Sequence, residues 1–427
     1  MDTIFAVSSG QPPAAIAVVR ISGPEAVATA RAVCGVLPAP RQAALRAVRD
    51  PVTGDLLDRA LILWFAGPAT ATGEDLVEIH LHGGRAIVAA VLRVLGSQPG
   101  LRAADPGEFT RRALAAGRID LAEAEGLGDL LMAETEAQRR RALAAAEGLV
   151  SRAVTGWSGR LLALSAQAEA LLDFSDEDDV AQEDGEQGLA AAIASLASDM
   201  DRTLAVPTVE RLRDGIRVTL AGPPNSGKST LLNAMADREA AIVSPIAGTT
   251  RDRIEIPVIR GGVAYVLTDT AGLVDHSDDP VEAIGVDRAR TSIETADIVL
   301  WLDDGPPPDR ANVLALYPRA DIRPVAEDRA RLPISAATGL GMDALWARLQ
   351  VMARSVLPPE DQLAVNQRQR ALLADAAAEL HDAISVQDLL IVAEHLRRAR
   401  GALDRITGTT HVEEMLDALF GKFCIGK

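Results

Sequence analysis

The sequence predicts a multidomain α/β protein, and three observations carry that expectation. A chain of 427 residues exceeds one ordinary domain. Short β-like runs alternate with helical ones over residues 1–117 and again over 215–350, whereas 118–214 and 351–427 read as helix. An alternating, β-branched run, Ile216–Ala221, leads straight into Gly222-Pro-Pro-Asn225-Ser226-Gly227-Lys228-Ser229-Thr230, and Leu231-Leu-Asn-Ala-Met then reads as a helix.

That last stretch fits G-x-x-x-x-G-K-[ST] in the strand–loop–helix context the motif requires. Its glycines let backbone N–H groups crowd around phosphate oxygens, and the helix N-terminus adds partial positive charge. Lys228 is placed to reach the β- and γ-phosphates, and the Ser229 hydroxyl to ligate Mg²⁺.

In chain order, Ile16–Ile21, Ala60–Phe65 and Leu76–Leu81 read as strands, with helices over Pro24–Val33 and from Gly84 to Leu95. This is an α+β domain. His80 and His82 stand two residues apart on one strand face, but no third ligand stands near, so a structural role is the better reading than a metal pair. From Arg118 the pattern turns Ala- and Leu-rich and helical, interrupted by an acidic run from Asp173 to Glu186 that reads as a solvated loop or helix start. Ile254–Ile259 and Val263–Leu267 flank Arg260-Gly-Gly262, a hairpin signal. Ile298–Leu302 and Asn312–Leu316 read as buried parallel strands, and Leu332–Ser335 as the last one. The segment between Leu302 and Asn312 is Pro-rich and too short for a full crossover helix. Helix resumes after Pro358-Pro359, so the 215–350 unit reads as an insertion between the halves of one helical domain.

The net charge of −17 excludes general steering to nucleic acid; any RNA contact needs a local basic patch or a partner. Lysine occurs three times, at Lys228, Lys422 and Lys427, which directs attention to the C-terminus. Cys34 and Cys424 imply no disulfide framework, which suits a reducing cytosol. The N-terminus lacks a basic region followed by an apolar run, and no stretch approaches a membrane span. A cytoplasmic enzyme with no membrane contact is expected.

Three further stretches mark a guanine nucleotide switch. In Gly248-Thr249-Thr250-Arg-Asp252, Thr250 is placed to complete the Mg²⁺ shell and sense the γ-phosphate. In Asp269-Thr270-Ala271-Gly272, Asp269 holds Mg²⁺ through water and the Gly272 N–H binds the γ-phosphate. Ser335-Ala336-Ala337 matches the short loop that packs on guanine. The base-reading N-K-x-D motif is broken: it reads Pro318-Arg319-Ala320-Asp321. Asp321 keeps the carboxylate that accepts from guanine N1 and N2, Pro318 has no amide to offer, and Arg319 is left to stack on the base. Leu273 stands where simple switches carry a glutamine and cannot orient an attacking water.

Along nearly its whole length the chain resembles the tRNA wobble-uridine modification GTPases, the MnmE or TrmE family. The matching stretches are Arg20-Ile-Ser-Gly-Pro24, Thr72–Gly84, Pro106–Ala113, Gly248–Asp252 and Leu419–Lys427 with its terminal Cys-Ile-Gly-Lys. The resemblance implies an N-terminal α+β tetrahydrofolate-binding and dimerisation domain (1–117), a discontinuous α-helical domain (118–214 and 351–427), and an inserted Ras-like P-loop G domain (215–350). It implies a homodimer that binds a 5-formyl- or 5,10-methylene-tetrahydrofolate at Arg20, Glu78, Arg118 and Lys427. Arg118 stands where a lysine is expected, which keeps the charge but changes its shape. It implies K⁺ bound by Asn225 of the phosphate loop and by Ser244, Ile246 and Thr249 of the loop before Thr250, a nucleotide-contacting loop that also holds Pro245 and Ala247, with Pro245 removing one N–H. It further implies Glu282 as the water-positioning carboxylate, Cys424 as a residue needed for modification, and a FAD- and NADH-using partner that completes a heterotetramer acting on tRNA. A ribosome-assembly GTPase, an RNA-binding switch, is the alternative; its relatives append basic modules, and the tail here is not notably basic. A scaffold with a decaying nucleotide site, suggested by Pro318, is opposed by Lys228, Ser229, Thr250, Asp269 and Glu282.

Overall fold

The computed structural model describes residues 2–173, 181–237, 255–269, 291–324, 330–408, 416, 419–421, 423, 425 and 426. They fall into two compact units. One comprises Met1–Gly128, Ala145–Val154 and Asp404–Lys427; the other comprises Asp129–Ala144 and Thr155–Leu403.

The first unit is built on a six-stranded sheet of β1 (Thr3–Val7), β2 (Ile16–Ser22), β3 (Ala44–Arg49), β4 (Leu56–Phe65), β5 (Leu76–His82) and β6 (Leu101–Ala103). The strand order is β3-β4-β5-β2-β1-β6. Helices α1 (Ala26–Cys34) and α2 (Arg85–Gly96) add Ala30, Val33, Val91 and Leu95 to a core with Val19, Ile21, Val77 and Ile79. The period of two in a strand does the sorting. Val19 and Ile21 of β2 and Val77 and Ile79 of β5 are buried, so Arg20 and Glu78, which pair in register, lie on the opposite face.

The C-terminal segment is bound into the same unit. Leu416, Phe420 and Phe423 pack with Leu114, Leu121 and Ala124 from α3 (Glu108–Ala115) and α4 (Leu121–Met132). Pro106 bridges Ile425, and Ser8 Oγ donates to Gly426 O at 2.8 Å. Gly107 (φ +68°) is required here, because a Cβ would stand 2.7 Å from Phe420 O.

The second unit holds a sheet of β7 (Ile216–Ala221), β8 (Glu255–Arg260), β9 (Val263–Asp269), β10 (Ile298–Trp301), β11 (Val313–Tyr317) and β12 (Leu332–Pro333). The order is β12-β11-β10-β7-β9-β8, parallel throughout except for the edge strand β8, which forms a hairpin with β9. Its core joins Val218, Leu220, Leu267, Ile298 and Leu300 to Leu231 and Met235 of α9 (Lys228–Asp237) and to Leu345 and Leu349 of α10 (Met342–Val356). Strands whose burial is this continuous are those of a parallel sheet covered by helices. The other described helices before α9 are α5 (Glu136–Ala146), α6 (Leu149–Asp173), α7 (Ala181–Ala205) and α8 (Glu210–Arg213); α7 packs along α11 (Gln367–Ser385), which starts with a reciprocal Asn366–Gln369 capping box.

The strands Thr3–Val7, Ala44–Arg49 and Leu101–Ala103 go beyond the sequence reading. No described helix is long and apolar enough to cross a membrane.

Candidate functional site

The phosphate loop joins the end of β7 to the start of α9. Gly222 takes φ +154° and Gly227 φ +99°, and Asn225 itself sits in the left-handed region at φ +62°. Asn tolerates that region because its short polar side chain bonds locally. The Lys228 ammonium is buried and donates to Gly222 O and Pro223 O, both at 2.9 Å. Burial lowers its pKa, and the Asp269 carboxylate opposes that shift. Asp269 is the last residue of β9, beside β7, and its Oδ2 accepts from Ser229 Oγ at 2.6 Å. The structure thus brings together Lys228 and Ser229 of the phosphate loop and Asp269 of the Asp-Thr-Ala-Gly stretch, 40 residues further on.

A pocket of about 200 Å³ opens beside this loop. It is lined by Gly227 and Thr230 of the loop, by Pro318, Arg319 and Asp321, and by Ser335, Ala336 and Ala337. Three separated sequence motifs therefore share one cavity. The loop after β11 is held by backbone bonds: Ala320 N–H donates to Ile334 O at 3.0 Å, and Ile334 N–H to Tyr317 O at 2.9 Å. Pro318 is buried. Arg319 (φ +57°) donates through Nη2 to Asn225 O at 2.8 Å, tying the loop to the phosphate loop. The Ser335 N–H is committed to Leu340 O at 2.9 Å, so a purine carbonyl in this pocket is left to the amides of Ala336 and Ala337. Leu231, Ile322 and Ile334 form the apolar walls. They escaped the sequence reading because each abuts a motif without belonging to it.

On the first unit, Arg20 Nη2 donates to Glu78 Oε1 at 2.8 Å and Nε to the same oxygen at 3.2 Å. The Arg20 guanidinium also stands 5.9 Å from the Phe109 ring centroid. Arg118 Nε donates to Thr70 O at 3.1 Å. Nearby, Ser22 Oγ meets Thr72 Oγ1 at 2.7 Å and donates to Glu74 Oε2 at 2.8 Å, while Arg112 pairs with Glu74, Asp2 and Glu108. This network was not read from the sequence, since its members are up to 110 residues apart. His82 pairs with Asp58 through Nδ1 at 2.8 Å, and His80 Nε2 lies 3.4 Å from Glu78. No group of His, Cys, Asp and Glu among the described residues is arranged to hold a metal ion.

The remaining expected positions, Ser244, Pro245, Ile246, Ala247, Gly248, Thr249, Thr250, Thr270, Ala271, Gly272, Glu282, Cys424 and Lys427, lie outside the described residues.

Comparison with known proteins agrees with the architecture. Residues 3–118 match the family "GTP-binding protein TrmE N-terminus", and residues 121–424 match "MnmE helical domain". The tRNA modification GTPase MnmE of Erythrobacter litoralis is 57% identical over 432 residues, covering all of both chains. Its counterpart in Rhizorhabdus wittichii is 56% identical over 428 residues, covering 100% of this chain and 97% of the other. That of Sphingopyxis alaskensis is 54% identical over 419 residues, covering 96% of this chain and 100% of the other. With this identity sustained along the whole sequence, the chain belongs to the MnmE family of tRNA modification GTPases.

Proposed function

We propose that this chain is a K⁺-stimulated GTPase. With a FAD- and NADH-using partner, it installs an aminomethyl or carboxymethylaminomethyl group at C5 of the wobble uridine of tRNA. The one-carbon unit comes from a tetrahydrofolate, and the working form is a homodimer within a heterotetramer. The observation that supports this reading best is the single pocket shared by the phosphate loop, Pro318–Asp321 and Ser335–Ala337.

In this reading, GTP lays its phosphates over the Gly222–Ser229 loop, and the Lys228 ammonium turns from the loop carbonyls to the β- and γ-oxygens. An anion also offsets the burial that disfavours the charged lysine. Ser229 and Asp269 present hard oxygens 2.6 Å apart, a donor set that suits Mg²⁺, and Thr250 would join them. Mg²⁺ would neutralise charge between the β- and γ-phosphates. Asp321 accepts from guanine N1 and N2, and Arg319 stacks on the base. K⁺ would lie against Asn225, Ser244, Ile246 and Thr249, supplying positive charge near the phosphates. Glu282 orients the attacking water, the task that Leu273 cannot do.

The tetrahydrofolate group fits the pair on the first unit. Glu78 is a half-buried carboxylate able to accept from the N–H groups of a pterin edge, and Arg20 beside it holds that carboxylate in place and can donate to the pterin carbonyl. Arg118 and Lys427 add positive charge, and Cys424 is assigned to the modification step.

The direct test is GTP turnover in K⁺ against Na⁺ at equal ionic strength. The reading predicts at least about tenfold faster hydrolysis in K⁺, by analogy with a charge-supplying finger. Equal rates overturn the K⁺ assignment.

A further inference from the structure

Parallel strands are normally joined by a crossover helix. The β10-to-β11 connection, residues 302–312, contains none, although the two strands pair in parallel. Something else has to hold the C-terminal ends of these strands, where the base pocket lies.

Two arginines meet at the turn that follows β10. Arg331, buried just before β12, donates through Nη1 to Asp303 O and through Nη2 to Asp304 O at 2.9 Å and Gly305 O at 2.6 Å. The turn is itself shaped for this: Gly305 N–H donates to Asp303 Oδ1 at 2.9 Å, and Trp301 Nε1 donates to Gly305 O at 3.2 Å. Arg323 reaches the same turn from the base loop, donating to Asp304 Oδ2 at 2.9 Å. Its guanidinium lies 4.2 Å from the centroid of the Tyr317 ring, and Nη1 stands 3.5 Å from Pro318 O. The Tyr317 hydroxyl closes the loop by donating to Pro324 O at 2.8 Å.

We propose that Arg323 and Arg331 are positioning residues for base recognition: they fasten the Pro318–Asp321 loop and strand β12 to the turn Asp303–Gly305, in place of the crossover helix that this connection lacks. Neither arginine lines the pocket. Each acts through the backbone that does. A guanidinium suits the task because its planar fork serves several carbonyls at once, which a lysine ammonium does not match in geometry. None of these bonds reaches the phosphate loop, which is tied to the base loop by Arg319 instead, so loss of either arginine bears more on base reading than on phosphate holding.

The inference rests on reading the pocket as the guanine site, and its test distinguishes the two. Affinities of the full chain for Mg–GTP, Mg–ATP and inorganic triphosphate are measured by competition for the wild type, Arg323→Leu, Arg331→Met and Arg331→Lys. A base loop out of place forfeits the charge-assisted bonds of Asp321, a loss of about tenfold or more in affinity. Arg323→Leu and Arg331→Met are therefore expected to weaken GTP binding about tenfold or more while triphosphate binding changes less than about twofold, with Arg331→Lys in between. Should Arg331→Met fail to fold, Arg323→Leu at its partly exposed site carries the same comparison. Parallel losses of GTP and triphosphate, or unchanged GTP affinity, overturn the proposal. A wild type without preference for GTP over ATP overturns the guanine reading instead.

Discussion

Ser229 Oγ donates to Asp269 Oδ2 across 2.6 Å, so the first turn of α9 and the last residue of β9 meet at one hydrogen bond. Two chain segments 40 residues apart thereby present a hydroxyl and a carboxylate at the mouth of the phosphate loop. The loop's own Lys228 is satisfied internally by two carbonyls, so nucleotide binding exchanges intramolecular bonds for phosphate contacts.

Ser229→Ala removes one of these oxygens and leaves the loop backbone intact. The Mg²⁺ concentration that half-saturates GTP binding is expected to rise about tenfold, the scale of one charge-assisted bond lost. A magnesium titration of GTP affinity reads this, and an unchanged midpoint removes Ser229 from the metal shell.

In the proposed function, base preference rests on Asp321. The side chain missing at Pro318 costs about one neutral bond, roughly 0.5–1.5 kcal/mol. The carboxylate pair to guanine outweighs it, since charge-assisted bonds are about twice as strong. Pro318→Asn is expected to tighten GTP binding by up to about tenfold. Asp321→Asn is expected to shift preference to XTP, whose position 2 carries an oxygen. Competition titrations of GTP, ATP and XTP decide; a GTP preference that survives Asp321→Asn means Asp321 does not read the base.

Glu78→Gln keeps the shape of the side chain but removes the charge that Arg20 meets. Equilibrium binding of 5-formyl-tetrahydrofolate is expected to weaken about tenfold or more, the cost of losing a charge-assisted bond to a partly desolvated group. GTP turnover is expected to stay within about twofold, because Glu78 lies in the unit that does not hold the phosphate loop. Unaltered folate binding reassigns the site.

Cys34 is buried on α1, and burial pushes its thiol from an ordinary value near 9 up to about 12. The native state therefore keeps the proton longer than the unfolded chain. The stability this group contributes is present below about pH 9 and is lost as pH rises from there toward 12. Alkylation at pH 8, mapped by peptide mass, is expected to leave native Cys34 unlabelled and to label it fully in denaturant. Fast native labelling contradicts the burial.

Much of the second unit was legible in the sequence. Ile216–Ala221 alternates β-branched residues and ends at the glycine loop, and Arg260-Gly-Gly262 is a local hairpin signal; both are short-range statements that tertiary packing reinforces. The missing crossover helix was read from chain length alone. The first unit was harder. Thr3–Val7 is a continuous buried run without period, and it pairs with Leu101–Ala103, nearly a hundred residues away. Ala44–Arg49 holds Ala, Leu and Arg, which favour helix, at every position but Val48, yet cross-strand pairing with β4 makes it a strand. In the site, Asp321 and Ser335–Ala337 followed from motif order, whereas the apolar walls and the arginine fasteners did not. Contacts such as Arg331 with the carbonyls of Asp303–Gly305 leave no mark in local sequence.

In the proposed function, a GTP-hydrolysing site in this chain drives modification of the tRNA wobble uridine. The most direct measurement is mass spectrometry of wobble nucleosides in tRNA from a strain lacking the protein, re-supplied with wild type, Lys228→Ala or Cys424→Ser. The C5-modified uridine is expected to disappear in the deletion strain, to return with wild type, and to stay absent with either variant, while purified Cys424→Ser still hydrolyses GTP. An unchanged nucleoside profile in the deletion strain, or full restoration by Lys228→Ala, would contradict that function.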